Sequence, residues 1–157
     1  MSENEHASVS LSLSALFLDI FRTNGSLVAA GDQLVAPLGL TSARWQVLGA
    51  VAMAPVPQPV AHIARDMGLA RQGVQRLVND LVDAGVLTLQ DNPHHRRAKL
   101  VCLTPPGHKL FSSVHALQRP WVDGLAQDLD PAKLAVAAEV LQALRQRLEA
   151  GLEEDRD

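Results

Sequence analysis

The apolar positions in the first third of the chain follow the period of an α-helix. Between residues 9 and 36 they predict one long helix, with a break or irregularity near Gly25 or Gly31. Thr41 is a suitable N-cap for a second helix, which the proline-rich segment 55–59 should end. The same prolines should stiffen the connection to the next element.

Two further helices are predicted toward the C-terminus. Thr104 followed by proline has the composition of an N-cap and first turn, and the helix after it should kink at Pro120. Asp130 begins the last helix in the same way. That helix carries apolar residues at alternating steps of three and four, the spacing of a coiled coil: Leu134, Ala137, Leu141, Leu144 and Leu148. It is therefore expected to pack against a long partner.

The segment between residues 60 and 104 changes from helical to strand spacing. A short helix ending at Gly68 and a longer one ending at Gly85 are followed by two apolar runs, 86–89 and 99–103, joined by a polar tip. Two helices joined by a tight turn and followed by a β-ribbon predict a winged helix-turn-helix. That layout presents one helix to the DNA major groove and a loop to the neighbouring minor groove.

The predicted fold class is mainly α with a small β-wing (α+β). A winged helix-turn-helix DNA-binding domain should occupy residues 37–104, and residues 9–36 and 105–150 should form a helical dimerisation region. The outer helices carry more apolar surface than one small winged module can cover. Packing against a second copy is the simplest way to bury it, and a two-fold dimer suits a palindromic operator.

The longer middle helix has one apolar face and one polar face. Its inward positions share helical spacing: Val74, Leu77, Val78 and Leu81. Its outward positions are the candidate DNA contacts: Arg71, Gln72, Gln75, Arg76 and Asn79. Arginine pairs with guanine and glutamine or asparagine with adenine, so these side chains can bridge to base edges. Any exposed helix face is polar, but this one lacks Glu and Lys. That composition favours a DNA-binding face over an ordinary solvent-exposed one.

The hairpin tip supplies the remaining candidate DNA contacts, Arg96, Arg97 and Lys99. Arg96 and Arg97 are adjacent and should point in different directions. One can enter the minor groove, where A·T-rich narrowing favours a guanidinium. The other can pair with phosphate or with an acid of its own chain. A solvated hairpin tip is the alternative interpretation.

The length of the chain fits one domain, with or without a helical appendage. Apolar residues make up 47% of the 157 residues, so the chain can bury a core. No apolar run reaches the roughly 18 residues of a membrane span, and the acidic N-terminus does not resemble a signal peptide. The single cysteine, Cys102, cannot form an intrachain disulfide. These features predict a cytoplasmic protein without a membrane partner.

The formal charge of −3 argues against a uniformly basic nucleic-acid binder, but the charge is unevenly distributed. Residues 71–99 hold five bases and three acids, a net charge of +2, whereas residues 123–157 hold nine acids and four bases, a net charge of −5. A neutral-to-basic middle beside an acidic tail fits a protein that turns one face to DNA. Its affinity should depend strongly on salt.

Three segments resemble the MarR family of transcriptional regulators. Residues 39–48 are similar to the opening of that family's second helix, and residues 67–78 to the start of its recognition helix. Residues 91–107 are similar to its wing, which normally reads Asp-x-Arg before a strand ending Leu-Thr-x-x-Gly. The resemblance covers residues 10–150 and implies a homodimer with the outer helices as dimer domain. It also implies a palindromic operator, usually bound as a repressor, often relieved by a small anionic aromatic ligand or by oxidation.

Two positions depart from the family pattern. The wing aspartate that normally helps brace the wing aligns with His95, while the family's arginine aligns with Arg97. Bracing through His95 would depend on pH. The serine or threonine that usually precedes the recognition helix is Ala70, so its N-cap and phosphate contact are missing.

Metal and redox chemistry supply alternative functions. His94 and His95 are adjacent rather than one helical turn apart, which suits one metal poorly, and the chain lacks HExxH, CxxC and glycine-rich phosphate-loop motifs. Cys102 lies in a predicted strand and is interpreted as a small buried hydrophobic residue. The prediction is therefore no enzyme, no metal and no cofactor. A metal- or redox-responsive regulator remains one alternative. A winged helix that binds protein is another, and it should show apolar anchors over residues 71–79.

The family resemblance places effectors between the dimer helices and the winged module. Four residues could approach that junction: Phe21, Arg22, Trp45 and Met53. Arg22 could neutralise a carboxylate or be an ordinary surface residue. The three apolar side chains could equally belong to the core.

Overall fold

The computed structural model of the protein describes residues 3–154, apart from residues 94 and 96. The helices and strands follow in this order: α1 (Glu3–Val35), α2 (Ser42–Met53), β1 (Gln58–Pro59), α3 (Val60–Asp66), α4 (Arg71–Asp83), β2 (Leu87–Gln90), β3 (Leu100–Leu103), α5 (Pro105–Leu125) and α6 (Pro131–Glu154). A single turn of 3-10 helix, Ala36–Leu38, follows α1. The fold is therefore mainly α with a small sheet, and the predicted fold class is confirmed.

Helix α1 is longer and more regular than predicted. It runs for 33 residues without interruption, so the predicted start at residue 9 and the break near Gly25 or Gly31 are both wrong. A glycine inside a helix costs only about 1 kcal/mol, which the neighbouring turns tolerate. Gly31 also has a packing role, because a Cβ atom there would lie 2.9 Å from the Ser42 hydroxyl oxygen. The glycine lets α1 and α2 approach closely.

Helix α2 begins as predicted. The Thr41 hydroxyl accepts a hydrogen bond from the Arg44 backbone N–H at 3.3 Å, so Thr41 is the N-cap. The Asp32 carboxylate accepts a second hydrogen bond from the backbone N–H of buried Ser42. A carboxylate at a helix N-terminus is also favoured by the helix dipole. The end of α1 is thereby tied to the start of α2.

The proline-rich connection contains a strand that sequence analysis missed. Residues 58 and 59 pair antiparallel with β3, opposite Val101 and Leu100 respectively. The described sheet has three strands in the order β1-β3-β2. Proline cannot donate to a ladder and is confined to edge strands, which is where Pro59 lies. The sheet thus joins the start of α3 to the hairpin.

Buried aliphatic side chains from the middle of the chain form the core. The largest fully buried ones come from α1, α2, α3, α4, β2, β3 and α5: Val35, Val47, Leu48, Ile63, Val74, Val78, Leu81, Leu87, Val101 and Val114. Each fully buried side chain of this size contributes about 1.5–3 kcal/mol relative to its exposed state. The core therefore holds α4 and the hairpin on one rigid support.

The start of α5 is locked to the turn after α4. The Thr104 hydroxyl accepts a hydrogen bond from the Gly107 N–H at 3.1 Å and donates to the Gly85 carbonyl at 2.6 Å, so the predicted N-cap is confirmed. Gly107 is buried, and a Cβ atom there would lie 2.1 Å from the Val86 carbonyl oxygen. These contacts explain why the Leu-Thr-x-x-Gly pattern needs its threonine and its glycine.

The chain divides into two compact units, residues 1–118 and residues 119–157. Helix α5 continues through Pro120, and the predicted kink there stays a prediction. The Asp130 carboxylate accepts a hydrogen bond from the Ala132 N–H at 2.9 Å, which confirms the predicted start of α6. Three of the four leucines of its coiled-coil stripe are exposed in the single chain, Leu134 by 49%, Leu141 by 46% and Leu148 by 60%, and Leu144 is half-buried.

Candidate nucleic-acid interface

Helix α4 presents the polar face that the sequence predicts. Gly68, with φ of +64°, makes the tight turn before it, and a left-handed conformation favours glycine. Val74, Val78 and Leu81 are buried on its inner side. On the outer side, Gln75 is half-buried and the others are exposed: Arg71, Gln72, Arg76 and Asn79. We call these five outer residues the recognition face.

One hydrogen bond organises the recognition face. The side-chain amide of Gln75 donates to the Asn79 side-chain oxygen at 2.9 Å, one helical turn away. The second amide hydrogen and the carbonyl oxygen of Gln75 remain available, which is the pair of groups that adenine requires in the major groove. Asn79 therefore orients the amide of Gln75.

The first turn of α4 has no side-chain cap. Ala70 occupies the N-cap position and makes no side-chain hydrogen bond, as its identity predicts. The helix is instead started by backbone bonds from Gly73 and Val74 to the Ala70 carbonyl. The positive end of the helix dipole is thus left facing outward beside Arg71.

An ion pair that sequence analysis missed connects α4 to α2. The Arg44 guanidinium lies 2.9 Å from the Asp80 carboxylate, with both side chains partly exposed. The two residues are 36 positions apart, and no local sequence signal pairs them. Asp80 directly follows Asn79 of the recognition face, so the ion pair offsets a negative charge at the edge of that face.

The hairpin of β2 and β3 forms the wing. Its register pairs Leu87 with Leu103 and Gln90 with Leu100. Just beyond the last pair, the Lys99 ammonium lies 2.8 Å from the Asp91 carboxylate. This hydrogen-bonded ion pair lowers the pKa of Asp91 below its usual value. Lys99, a predicted DNA contact, is therefore engaged by an acid of its own chain.

The tip of the wing is a hydrogen-bonded turn. The His95 N–H donates to the Asn92 carbonyl at 3.2 Å, and the His95 carbonyl accepts from Ala98 at 3.0 Å. His95 and Arg97 are exposed. Bracing of the wing by the His95 side chain stays a prediction, whereas Asp91 and Lys99 do brace its base. Two residues considered at the tip, Arg96 and His94, lie outside the described residues.

The recognition face and the wing meet at a cleft. Arg71 and Gln75 line it from α4, and Leu89, Arg97 and Lys99 line it from the hairpin. Pro59 of β1 and the first two residues of α3, Val60 and Ala61, complete it. The structure thus brings together four of the eight sequence-predicted DNA contacts, and leaves Gln72, Arg76 and Asn79 elsewhere on α4.

The four proposed effector residues do not form one packed cluster with the core. Phe21 is 73% exposed and Met53 80% exposed in the single chain, so neither is a core residue there. Trp45 packs against the core. Arg22 is exposed and lies 3.7 Å from the Asp19 carboxylate. An incoming anion would have to compete with Asp19 for this guanidinium.

Cys102 has the environment of an inert thiol. It is half-buried in β3, and burial raises the pKa of its thiol above the ordinary value. A higher pKa leaves less of the nucleophilic thiolate at neutral pH. Within the part of the chain that the structure describes, no three His, Cys, Asp or Glu side chains come together as metal ligands. The helices of that part also include none that is long and apolar enough to span a membrane.

Comparison with known proteins identifies the family. The sequence model of the MarR family matches residues 38–98, which contain α2 to α4 and most of the wing. An uncharacterized protein of Mycobacterium tuberculosis is 36% identical over 138 residues, covering 88% of this chain and 95% of that protein. The chain belongs to the MarR family of DNA-binding transcription regulators.

Solved structures of other proteins share the fold. CouR from Rhodococcus jostii RHA1, solved with bound p-coumaroyl-CoA, superposes with a TM-score of 0.74 and 21% identity over 82% of this chain and 90% of its own. BpsR of Bordetella bronchiseptica, whose DNA binding is regulated by 6-hydroxynicotinic acid, superposes with a TM-score of 0.72 and 21% identity. The match covers 83% of this chain and 98% of BpsR. At these identities the likeness shows a common fold.

Proposed function

We propose that the protein is a homodimeric transcriptional repressor that binds a palindromic operator through α4 and the wing. The observation that carries this proposal is the recognition face: five polar side chains, without Glu or Lys, on the outer side of a helix held rigidly by the core. Arg97 extends the same surface from the wing. Side chains of these types contact base edges and phosphates.

The dimer part of the proposal rests on exposed apolar surface in two places. On α1, Leu11 is 74% exposed, Leu18 57% and Phe21 73%. In the second unit, α6 exposes the leucine stripe described above. Single exposed apolar residues are ordinary, but regular apolar stripes on long helices are typical of helix–helix interfaces. We assign residues 9–36 and 105–150 to dimerisation and residues 37–104 to DNA binding.

The effector part of the proposal rests on the family. One protein of the same fold was solved with bound p-coumaroyl-CoA, and the DNA binding of another is regulated by 6-hydroxynicotinic acid. We infer that a small anionic or aromatic compound releases this protein from DNA, and that Phe21, Arg22, Trp45 and Met53 approach its site. The carboxylate of such a compound would replace Asp19 beside Arg22.

A protein-binding winged helix fits the observations less well. That function requires apolar anchors on the outer side of α4. Between residues 71 and 79 the apolar side chains Val74 and Val78 are fully buried, and Leu77 is half-buried. The exposed positions are polar, so the surface lacks the aromatic or aliphatic anchors that dominate protein interfaces.

The proposal is tested by sedimentation equilibrium together with footprinting on the DNA upstream of the gene. We expect a dimer at micromolar concentration and two protected half-sites related by two-fold symmetry. Their centres should lie one helical turn apart, about 34–36 Å. A stable monomer, or protection without symmetry, would contradict the dimeric operator complex. Loss of the footprint on adding an aromatic acid would support the effector.

A further inference from the structure

The cleft between α4 and the wing has a defined place in a winged-helix complex with DNA. A recognition helix occupies the major groove and a wing reaches the neighbouring minor groove. The sugar-phosphate strand that separates these grooves must therefore cross the gap between helix and wing. In this chain that gap is the cleft lined by Arg71, Gln75, Leu89, Arg97 and Lys99.

The three cations of the cleft are not equally available. Lys99 is held by Asp91 at 2.8 Å. The ion pairs among the described residues include neither Arg71 nor Arg97. Arg71 is also the first residue of α4, where the uncapped helix N-terminus adds positive potential. Within the described part of the chain, two guanidinium groups from two different elements therefore line one opening without an ion-pair partner.

We propose that Arg71 and Arg97 together bind one DNA backbone phosphate in this cleft, and that Lys99 takes no direct part. The inference rests on the proposed function and deepens it. Arginine suits this role because its planar fork donates two parallel hydrogen bonds to phosphate oxygens. Arg71 is thus a positioning contact that sets the register of α4 in the groove. Base recognition falls to Gln75 and its neighbours further along the helix.

A phosphate-by-phosphate test separates this role from base recognition. Duplexes carrying a neutral methylphosphonate at one phosphate per half-site are titrated with the wild-type protein and with Arg71→Ala. One substituted position between the major-groove and minor-groove contacts should weaken wild-type binding. The same substitution should have little further effect on Arg71→Ala, because both changes remove one interaction. Equal losses for both proteins at every position would overturn the proposal.

Salt dependence and a matched variant complete the test. Arg71→Ala should weaken binding to operator DNA and to scrambled DNA by a similar factor. It should also lower the slope of log affinity against log salt concentration by about 0.9 for each half-site. Lys99→Met combined with Asp91→Asn, which removes the ion pair of the cleft without leaving a carboxylate unpaired, should lower the slope by less than half as much. Equal effects of the two changes would overturn the proposal, as would altered base preference in Arg71→Ala. Failure of the wild-type protein to bind any DNA would overturn the proposed function as well.

Discussion

Arg44 Nη2 and Asp80 Oδ2 lie 2.9 Å apart, so that the first turn of α2 is tied to the recognition helix by an ion pair. The side chains are 38% and 47% exposed, and partly exposed ion pairs contribute little to stability, about 0.2–1 kcal/mol. Because the ion pair lies at the edge of the recognition face, it should matter more for DNA binding than for stability. Without Arg44, an uncompensated carboxylate would stand beside Asn79 of the recognition face.

We therefore expect Arg44→Met to weaken operator binding and Asp80→Asn to weaken it less or not at all. The double variant should bind better than Arg44→Met alone, because it lacks the unpaired carboxylate. Fluorescence anisotropy in low salt measures these affinities, and urea denaturation verifies that each variant stays folded. If Asp80→Asn weakened binding more than Arg44→Met, Asp80 would itself contact the DNA, and the charge-compensation account would fail.

Gln75 and Asn79 should act as a unit in recognising one base pair. Gln75→Ala removes the amide that can pair with adenine, so we expect relaxed preference at one operator position per half-site, worth about 1–3 kcal/mol. Asn79→Ala should relax the same position, because it removes the acceptor that orients Gln75. The measurement is binding across all single-base operator variants. Arg76→Ala is the control, since a phosphate contact should weaken every duplex alike. Unchanged preference in Gln75→Ala would show that the recognition face is misassigned.

Gly107 should be irreplaceable for stability. Its Cβ position lies 2.1 Å from the Val86 carbonyl oxygen, and a backbone atom cannot move aside as a side chain can. We expect Gly107→Ala to lower the free energy of unfolding by at least about 1–3 kcal/mol, the usual cost of overpacking. Gly49→Ala is the matched control, because its Cβ position within α2 has no atom within 4 Å apart from its chain neighbours and the backbone of its own helix. That change should be neutral or stabilising in urea denaturation. Equal stability of the two variants would contradict the packing at α5.

Cys102 should not act as a redox switch. Burial raises the pKa of its thiol, so the folded protein holds less thiolate at neutral pH than the unfolded chain. We expect iodoacetamide to alkylate Cys102 more slowly in the native protein than in urea, and peroxide to leave DNA affinity unchanged. The control is Cys102→Ser treated identically. Loss of DNA binding on oxidation in the wild type, but not in Cys102→Ser, would establish the redox-responsive alternative.

The local elements were predictable because their causes are local. Thr41, Thr104 and Asp130 each cap the helix that follows them, and a cap depends on a few neighbouring residues. The inner and outer faces of α4 follow from helical periodicity alone. The sequence therefore predicted correctly which residues of α4 lie on its outer side. Their contacts with DNA stay predictions.

The missed features depend on residues that are distant in sequence. The strand at 58–59 exists because β3, some forty residues later, offers an edge for pairing. The Arg44–Asp80 pair likewise requires α2 and α4 to pack side by side. Continuity of α1 through Gly25 and Gly31 could not be read from glycine propensity, because the flanking turns outweigh a small local cost. The pairing of Lys99 with Asp91 depends on the hairpin register, which the sequence left open.

We propose that α4 and the wing form a sequence-specific DNA interface. Fluorescence anisotropy with the gene's upstream DNA and a scrambled duplex, over a series of salt concentrations, tests it most directly. We expect tighter binding to the upstream DNA, affinity that falls steeply with salt, and a loss of about 1–3 kcal/mol in Arg97→Ala. Arg96→Ala should lose less. Equal affinity for both duplexes, or full affinity of Arg97→Ala and Arg71→Ala in low salt, would contradict the claim.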